Sequence, residues 1–493
     1  MNIWPYKNRF LELAKTFSRI PIWVEINFPK LDLYLLYKIF YSGTSDSFLF
    51  KSGQAPINTA RYSFCGRSNN NFINVSGNHL QFVNNGDTFK IPWSMESCFE
   101  LMEFDPLSST EGPPHFWGGW IGFLSYDVVR RQETFNNKEK INDLNIPDLY
   151  FFQVDRLFAY DHQKQTLKYI VAPKIKSEPQ KHYIDCVKEI IAMEKEISLI
   201  HNQLIKLLIE TPIFPKNERN IKGFRHNIDR PTYISMVESA KNYISLGDIY
   251  QANLSQRFET DFDGEPLDIY LKLNQINPAP FSGYLQFKEF SIISSSPERL
   301  IKLENERLET RPIAGTRPRG ETLEENINLR NELLLNEKEK AEHLMLVDLE
   351  RNDLGRVSEF GSVSVTEMMF LEQYSHVIHI VSNITSQVRP EVKLYEIISA
   401  IFPGGTITGC PKIRCMEIIE ELEPVLRGPY SGSLGYIGFN RLMDLNIIIR
   451  TIIVKDGKAF FHAGAGIVSD SIAENEYTET LDKASAMIQA LLI

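Results

Sequence analysis

The sequence predicts an α+β fold, in which helices and antiparallel strands are mixed along the chain. Residues 116–126 combine glycines with aromatic side chains, which is typical of closely packed strands. Between residues 184 and 209, apolar residues recur at a spacing that places them on one face of a helix. The remaining helical and strand-like segments follow one another without the regular βαβ alternation of a doubly wound sheet.

The 493 residues are too many for one ordinary core, so we expect at least two domains. Residues 211–225 are rich in proline and asparagine, which is typical of a linker. We therefore predict an N-terminal domain over residues 1–175, a helix and linker over 176–228, and a catalytic domain over 229–493.

The predicted elements of the first domain are mostly strands and turns over residues 1–170. Strands are expected at 149–160 and 167–171, followed by the helix at 184–209. In the second domain, Asp229 before Arg230 and Pro231 predicts a helix start, and Gly247 predicts its end. One long polar helix is expected at 324–349 and a last one at 474–492. Strands are expected at 283–286, 290–294, 376–384, 435–438, 445–454 and 459–463.

Composition excludes several classes of protein. The formal charge of −10 disfavours nucleic-acid binding. No run of eighteen apolar residues exists, and the N-terminus lacks the pattern of a signal peptide, so we expect no membrane span and a cytoplasmic location. The five cysteines are scattered and form no CxxC pair, which argues against a disulfide framework and against a thiolate zinc site.

Two clusters of carboxylates lie on predicted helices. Glu339, Glu342 and His343 share one helix face, and Glu476, Glu479 and Lys483 repeat that spacing on the last helix. Paired glutamates on two helices could hold a hard cation such as Mg²⁺. Two ion-paired, solvated faces are the alternative, and spacing alone favours it.

Two glycine motifs are weaker signals. Residues 404–412 have the GxxxxG spacing of a P-loop, but Cys410 and Pro411 stand where lysine and serine or threonine are needed. Such a turn before a helix could still bind a carboxylate, or it could be purely structural. Gly464-Ala465-Gly466 lacks the third glycine of a dinucleotide site, so a tight turn is the default interpretation.

Three basic or titratable side chains lie in or at the ends of predicted strands. His376 and His379 are three residues apart and would lie on opposite faces of a strand, which makes them poor joint metal ligands. Either could be a core residue or a general acid or base. Arg450 ends an apolar run, where it could bind a carboxylate or simply close a strand.

Taken in order, these motifs resemble those of the chorismate-utilising enzymes. The resemblance covers nearly the whole chain and rests on residues 61–63, 118–122, 247–257, 296–299, 311–316, 342–353, 404–412, 464–466 and 476–479. It implies two α+β domains with large, orthogonally packed antiparallel sheets flanked by helices. It also implies Mg²⁺ as cofactor, held by Glu342 and Glu479 with support from Glu339 and Glu476.

The resemblance further assigns the residues that contact chorismate. The implied substrate-binding set is Gly315, Thr316, Thr406, Tyr430, Arg450, Gly464, Ala465, Gly466 and Lys483. Glu298 is expected to be the acid or base at the C4 hydroxyl, and His379 is expected to assist proton movement near C2. Because Mg²⁺, Arg450 and Lys483 supply local positive charge, a dianion can bind to an acidic protein.

Within the family, the sequence favours amination of chorismate to 4-amino-4-deoxychorismate, with formation of anthranilate as the alternative. The tryptophan site of anthranilate synthases commonly contains Leu-Glu-Ser and Asn-Pro-x-Pro-Tyr-Met. Here these segments are Phe50-Lys51-Ser52 and residues 277–282, so Ser52, Pro280, Phe281 and Ser282 mark a tryptophan site or its vestige. Ala314 favours the alternative, since many aminodeoxychorismate synthases carry at that position a lysine that forms an adduct with the ring.

The chain lacks the cysteine-centred elbow of a glutaminase, so the resemblance implies a separate glutamine amidotransferase subunit as partner. A catalytically inactive protein that binds chorismate or tryptophan is a more remote alternative, because Glu342, Glu479, Arg450 and Lys483 are all retained.

Overall fold

Two antiparallel sheets with flanking helices form the fold, which confirms the α+β prediction. The structure is a computed structural model that describes residues 2–52, 61–105, 107, 115–133, 135, 140–210, 223–318, 322–373 and 377–492. None of the described helices is long and apolar enough to cross a membrane.

The strands before residue 176 are β1 (Ile3–Trp4), β2 (Ile22–Asn27), β3 (Ser47–Lys51), β4 (Tyr62–Arg67), β5 (Phe72–Ser76), β6 (His79–Asn84), β7 (Asp87–Pro92), β8 (Gly119–Leu124), β9 (Leu149–Val154), β10 (Arg156–Asp161) and β11 (Thr166–Val171). The helices of the same part are α1 (Lys7–Leu13), α2 (Leu33–Phe40), α3 (Met95–Glu100) and α4 (Val129–Gln132). The long helix α5 (Pro179–Glu210) follows, as the apolar spacing at 184–209 predicts.

The strands of the second part are β12 (Arg225–His226), β13 (Gln251–Asp261), β14 (Phe281–Gln286), β15 (Phe290–Ser296), β16 (Arg299–Glu304), β17 (Arg307–Arg311), β18 (Ile313–Pro318), β19 (Ser364–Gln373), β20 (Val377–Gln387), β21 (Gly409–Cys410), β22 (Ser433–Gly438), β23 (Met443–Asn446), β24 (Thr451–Lys455) and β25 (Lys458–Ile467). Its helices are α6 (Arg230–Ser245), α7 (Pro266–Ile276), α8 (Leu323–Leu335), α9 (Glu337–Gly355), α10 (Leu394–Ile401), α11 (Lys412–Leu422) and α12 (Ala473–Leu491).

Strand order shows that both parts of the chain build both sheets. The first sheet runs β1-β2-β11-β10-β4-β3-β14-β15-β24-β25-β13-β12, with β21 paired to β13. The second runs β18-β20-β17-β16-β23-β22-β8-β9-β5-β6-β7, with β19 paired to β20. The junctions β3–β14 and β22–β8 join residues on either side of the 176–228 segment. The division into domains at 175 and 229 stays a prediction.

Aromatic packing fills the space between the sheets. The Phe123 ring of β8 lies 5.5 Å from the Phe287 ring and 5.9 Å from the Phe290 ring, which belong to the β14–β15 hairpin of the other sheet. Phe123 is fully buried, and one hydrophobic cluster contains side chains of both sheets. Burial of such side chains is the main force that stabilises the fold.

Three predicted elements are corrected by the structure. The helix expected at 324–349 is two helices, because Asn336 has an extended backbone and caps α9 by accepting a hydrogen bond from the Glu339 amide. The strand expected at 445–454 is β23 and β24, which belong to different sheets. The strand expected at 149–160 is likewise two strands, β9 and β10, which belong to different sheets. The region 1–170 consists mostly of strands, as predicted, together with the short helices α1 to α4.

The helix predicted after Asp229 is confirmed. The Asp229 side chain accepts a hydrogen bond from the Thr232 amide, 2.9 Å away, and Pro231 lies in the first turn of α6. The last predicted helix corresponds to α12.

Candidate active site

Two chain segments that cross from one sheet to the other meet at the centre of the candidate site. The first joins β15 to β16 through Pro297 and Glu298, and the second joins β23 to β24 through residues 447–450. They are hydrogen-bonded to each other: the Ile447 amide donates to the Glu298 carbonyl (3.0 Å), and the Ser296 hydroxyl donates to the Ile447 carbonyl (2.6 Å). Arg450 has a positive φ of 51°, which turns the chain from β23 into β24.

Glu298 is a buried acid among the predicted site residues, and its pKa is raised. It is 5% exposed, and burial raises the pKa of its carboxyl to about 7, although the Thr406 hydroxyl, the Ile313 amide and the charge of Lys483 each favour the ionised form. Its Oε1 has no hydrogen-bond partner among the described residues. A carboxyl with this pKa can donate or accept a proton near neutral pH.

His379 and Arg450 line one small cavity beside the first crossing segment. The cavity has a volume of about 40 Å³ and is also lined by Pro297 and by residues 277–280. Burial, reinforced by the Arg450 charge, lowers the pKa of His379 to about 4, so the imidazole is neutral at physiological pH. Burial lowers the pKa of Arg450 as well, against the opposing effects of Tyr430 and Glu479.

Gly315 connects this cavity to the first carboxylate helix. It lies at a register shift between β18 and β20, where Thr316 pairs with His379. A Cβ atom at Gly315 would lie only 2.9 Å from the Glu339 Oε2 of α9, so the carboxylate directly adjoins the strand. The side chain of Thr316 lies outside what the structure describes, and His376 lies outside the described residues.

The Gly464-Ala465-Gly466 motif is not a tight turn, which corrects the default interpretation. All three residues lie within β25 and pair with Ser255, Leu254 and Asn253 of β13. A Cβ atom at Gly464 would lie 2.8 Å from the Tyr430 hydroxyl, so the two predicted substrate-binding residues adjoin each other. The small residues leave room beside the strand for a ligand.

Lys483 joins the last helix to this strand. Its Nζ donates to the Gly464 carbonyl (3.0 Å) and forms an ion pair with Glu479 (2.7 Å). The Glu479 side chain is about half exposed, whereas Glu476, which lies one helical turn before Glu479, is buried. Lys483 and Arg450 therefore bring positive charge to the region that contains Glu298 and Tyr430.

The four predicted metal ligands lie on α9 and α12, which pack against β18 and β20 and against β25 respectively. Carboxylate oxygens are the ligands that Mg²⁺ prefers, so the chemistry of this set suits that ion. Among the described residues, however, no three His, Cys, Asp or Glu side chains lie close enough together to hold a metal ion. The Mg²⁺ site stays a prediction.

Two neighbouring candidates are structural. His343 is fully buried and hydrogen-bonds through Nε2 to the Ser382 hydroxyl (2.6 Å), so it packs α9 onto β20. Lys412 donates to the Asp353 carboxylate and to the Ile401 carbonyl. Because the Lys412 ammonium is already engaged by these two acceptors, it does not support anion binding at the 404–412 turn.

Several polar residues that line the same region were not predicted from the sequence. Gln251 and Asn253 of β13 adjoin the glycines of β25, and Gln251 Oε1 and Asn253 Oδ1 have no hydrogen-bond partner among the described residues. The sequence pattern that could have identified these residues is the alternation of Gln251, Asn253 and Ser255 with apolar residues. This alternation predicts a strand with one polar face. Glu350 was also missed: it is buried against the Thr310 hydroxyl, and burial and the nearby Glu298 raise its pKa.

A separate cavity of about 400 Å³ contains all four residues of the predicted tryptophan site or its vestige, Ser52, Pro280, Phe281 and Ser282, and is called the regulatory cavity below. β3 and β14 bring these residues together by pairing Lys51 with Ser282. Pro280 also lines the small cavity of His379 and Arg450, so one short segment borders both spaces. The ligand of the regulatory cavity stays a prediction.

Known proteins of similar sequence are chorismate enzymes. The sequence pattern of the chorismate binding enzymes matches residues 65–489. Anthranilate synthase component 1 of Acetivibrio thermocellus is 39% identical over 97% of this chain and 96% of its own length. Aminodeoxychorismate synthase component 1 of Bacillus subtilis is 46% identical over 77% of this chain and 78% of its own.

Solved structures agree with these relatives. Anthranilate synthase component I of Streptococcus pneumoniae is 35% identical, with a TM-score of 0.72 over 87% of this chain and 92% of that one. The menaquinone-specific isochorismate synthase of Escherichia coli is 16% identical and shares the fold, with a TM-score of 0.66 over 98% of this chain and 99% of that one. The chain therefore belongs to the family of chorismate binding enzymes.

Proposed function

We propose that this chorismate-utilising enzyme aminates chorismate with ammonia to give 4-amino-4-deoxychorismate, the precursor of 4-aminobenzoate and folate. The observation that carries the amination step is Glu298, a buried carboxyl with a pKa of about 7 among the predicted substrate-binding residues. This step is common to both candidate products, and the choice between them rests on Lys51 in the regulatory cavity. Departure of the C4 hydroxyl requires a proton, and a carboxyl that is still partly protonated at neutral pH can supply it.

Charge attracts the substrate, which carries two carboxylates. Arg450 and Lys483 provide cations at the site, and the Tyr430 hydroxyl and the glycines of β25 shape its wall. Glu339, Glu342, Glu476 and Glu479 are the side chains that would hold Mg²⁺. When bound, that ion supplies further positive charge to a substrate carboxylate.

The neutral imidazole of His379 suits the role of proton acceptor. Because its pKa is about 4, it is unprotonated when ammonia attacks, and it can take a proton from the nitrogen that becomes bonded to the ring. The small cavity that His379 shares with Arg450 supports this role.

The position of the nitrogen in the product requires two displacements. Attack of ammonia at C2 forms the C2–N bond, shifts the ring double bonds and expels the C4 hydroxyl as water with the proton from Glu298. This step gives the 2-amino isomer. Since Ala314 offers no nucleophile, a second ammonia must attack C4 and expel the C2 amine as ammonia, which restores the original ring pattern.

The regulatory cavity supports this choice of product. Lys51 stands where anthranilate synthases commonly have glutamate, and its Nζ pairs with Asp32 (2.8 Å). A lysine there would repel the ammonium group of an amino acid. The 46% identity with the aminodeoxychorismate synthase component of Bacillus subtilis, over 378 residues, agrees with the proposal.

Anthranilate synthesis is the second candidate. It is favoured by Ala314 and by the 39% identity with an anthranilate synthase component over 97% of this chain. Loss of pyruvate from the 2-amino isomer would give anthranilate, so the two functions separate only after the first displacement.

We propose that ammonia comes from a separate glutamine amidotransferase subunit. The two relatives are named as component 1 of their synthases. Four of the five cysteines are buried, and burial raises the pKa of the half-buried Cys410 thiol, so none is the activated thiolate that a glutaminase needs.

The test is a product assay with chorismate, Mg²⁺ and ammonium at alkaline pH, with and without a lyase that releases 4-aminobenzoate. We expect 4-aminobenzoate only when the lyase is present, and no fluorescent anthranilate in either case. Anthranilate without the lyase would establish the second candidate instead. Glu298→Gln is the control, since it keeps the shape of the side chain and removes the proton.

A further inference from the structure

A buried ion pair between Glu423 and Arg427 adjoins the segments that form the candidate active site. The two side chains are 4% and 2% exposed, and the carboxylate accepts two hydrogen bonds from the guanidinium, 2.9 Å from Nε and 2.7 Å from one terminal nitrogen. Burial lowers the pKa of Arg427, but the Glu423 carboxylate outweighs this effect and raises that pKa above its ordinary value. The guanidinium is therefore charged at physiological pH.

All five N–H groups of the Arg427 guanidinium donate hydrogen bonds. Besides the two bonds within the pair, it donates to the Ile407 carbonyl (3.0 Å), the Ser431 hydroxyl (3.1 Å) and the Asn253 carbonyl (2.7 Å). The donors of a guanidinium lie in one rigid plane. Arg427 therefore has no donor left for a ligand, and it fixes the distances between the three segments that contain its acceptors.

Each of these three acceptors lies beside a predicted substrate-binding residue. Thr406 and Tyr430 directly precede two of the acceptors, and Gly466 pairs with the third across β13 and β25. The guanidinium carbon of Arg427 also lies 5.7 Å from the centre of the Tyr430 ring, and His462 stacks on that ring at 4.9 Å. One buried side chain therefore connects three parts of the predicted substrate site.

Glu423 extends this framework to the glycine motif of β25. Its carboxylate accepts hydrogen bonds from the Ser255 amide (2.8 Å) and from the Ser255 hydroxyl (2.9 Å). Ser255 pairs with Gly464, the first glycine of the motif. The carboxylate therefore fixes both the strand that borders the motif and the guanidinium that lies beside Tyr430.

The energetics of the Glu423–Arg427 pair indicate a role in geometry. Burial of two charges costs free energy, and a buried ion pair often stabilises a fold no better than apolar side chains of similar volume. Apolar side chains could not reproduce the bidentate bond or the three further hydrogen bonds. We propose that the two side chains are a positioning pair, which touches no reacting atom and holds Tyr430, Thr406 and β13 at the spacing that chorismate requires. This inference rests on the use of chorismate and on the predicted substrate-binding residues, whichever product is formed.

Arg427→Lys tests the proposal, because lysine keeps the positive charge but cannot reproduce the planar set of donors. The measurement is the rate of chorismate consumption with Mg²⁺ and ammonium over a range of chorismate concentrations. We expect KM for chorismate to rise about tenfold or more and kcat to change by less than about threefold. A loss of structure alone would lower the amount of active enzyme, and hence the apparent kcat, and would leave KM unchanged.

Arg19→Lys is the matched control, far from the predicted substrate site. Arg19 is also buried, at 4% exposed, and it donates to the Ala172 carbonyl, the Glu103 carboxylate and the Gln153 side chain. None of these three acceptors is a predicted site residue. Any loss of stability in this variant should therefore leave KM for chorismate unchanged.

Ser431→Ala is the second variant, and it decides the question if Arg427→Lys does not fold. It removes a single acceptor of the guanidinium, so we expect KM for chorismate to rise about threefold. The proposal is overturned if KM stays within about twofold of the parent value in folded Arg427→Lys, or in Ser431→Ala where Arg427→Lys does not fold. It is also overturned if Arg19→Lys raises KM equally. Because chorismate consumption is followed, formation of anthranilate would contradict the proposed amination without affecting this test.

Discussion

At the scale of single residues, burial decides the chemistry of Glu298. The carboxyl lies where the chain crosses between the two sheets, and water is too scarce there to stabilise its charge fully. Glu304, at the far end of the strand that follows, shows the opposite effect: a hydrogen bond from His115 lowers the pKa of its carboxyl to about 2. The same side-chain type therefore behaves as an acid in one place and as a permanent anion in the other.

Glu298→Gln should stabilise the protein at pH 8 by up to about 3 kcal/mol, and the gain should vanish near pH 4.5. The folded-state pKa of about 7 lies above the ordinary value of 4.5, so the folded state binds more protons between these values and loses stability as pH rises. Urea unfolding at both pH values measures the effect. Glu304→Gln is the control of opposite sign, since it should destabilise the protein at pH 8.

The pH dependence of kcat should reflect the ionisation of the Glu298 carboxyl. If Glu298 donates a proton to the leaving hydroxyl, kcat per concentration of free ammonia falls as pH rises through about 7, because the protonated form is lost. Glu298→Gln should lower kcat about 10²-fold or more and remove this dependence. A full rate in the variant, or an unchanged pH profile, would contradict the role.

At the scale of elements, the second sheet depends on close backbone approach between strands. β8 is central to the second sheet, between β22 and β9, and a Cβ atom at Gly122 would lie 1.9 Å from the Tyr150 carbonyl oxygen. No backbone neighbour can move far enough to admit that atom without breaking the ladder of hydrogen bonds.

Gly122→Ala should therefore destabilise the protein by several kcal/mol, at the upper end of single substitutions. Gly355→Ala is the matched control: it lies at the end of α9, nothing lies within 4 Å of its added Cβ, and alanine favours a helix by about 0.5–1 kcal/mol. Chemical denaturation of the two variants should give changes in the free energy of unfolding that differ in sign or differ greatly in size. Equal shifts would show that the close approach of β8 and β9 plays no part in stability.

At the scale of the whole molecule, the two parts of the chain cannot complete a sheet separately. Removal of residues 229–493 would expose the edges of β3 and β8, which pair with β14 and β22. Exposed edges and unmatched apolar faces lead to aggregation.

Fragments 1–228 and 229–493 should therefore be insoluble or unfolded when they are expressed alone, and should form a soluble complex when expressed together. The intact chain should unfold in one cooperative transition by circular dichroism and by fluorescence. A stable, folded 229–493 fragment would support independent domains and contradict this expectation.

Local patterns in the sequence were enough to predict the α+β class, α5, α6, α12 and several strands of the second part, whereas β12, β13, β16 to β19 and β21 were not predicted. These patterns are helix periodicity, the Asp229 cap and the glycine–aromatic alternation. Each depends on residues close together in the sequence, and the structure has the predicted element at each place. The family motifs also identified Glu298, His379, Arg450, Gly464 and Lys483, which the structure brings into one region.

Only the tertiary structure decided where these segments meet. Arg450 turns a predicted strand into two strands of different sheets, Asn336 divides a predicted helix, and Gly464 lies inside a strand instead of a turn. The pKa of Glu298 and the hydrogen bonds of Arg427 depend on residues far away in sequence. Pairing and burial of this kind are properties of the packed chain, because they arise from contacts that no local pattern encodes.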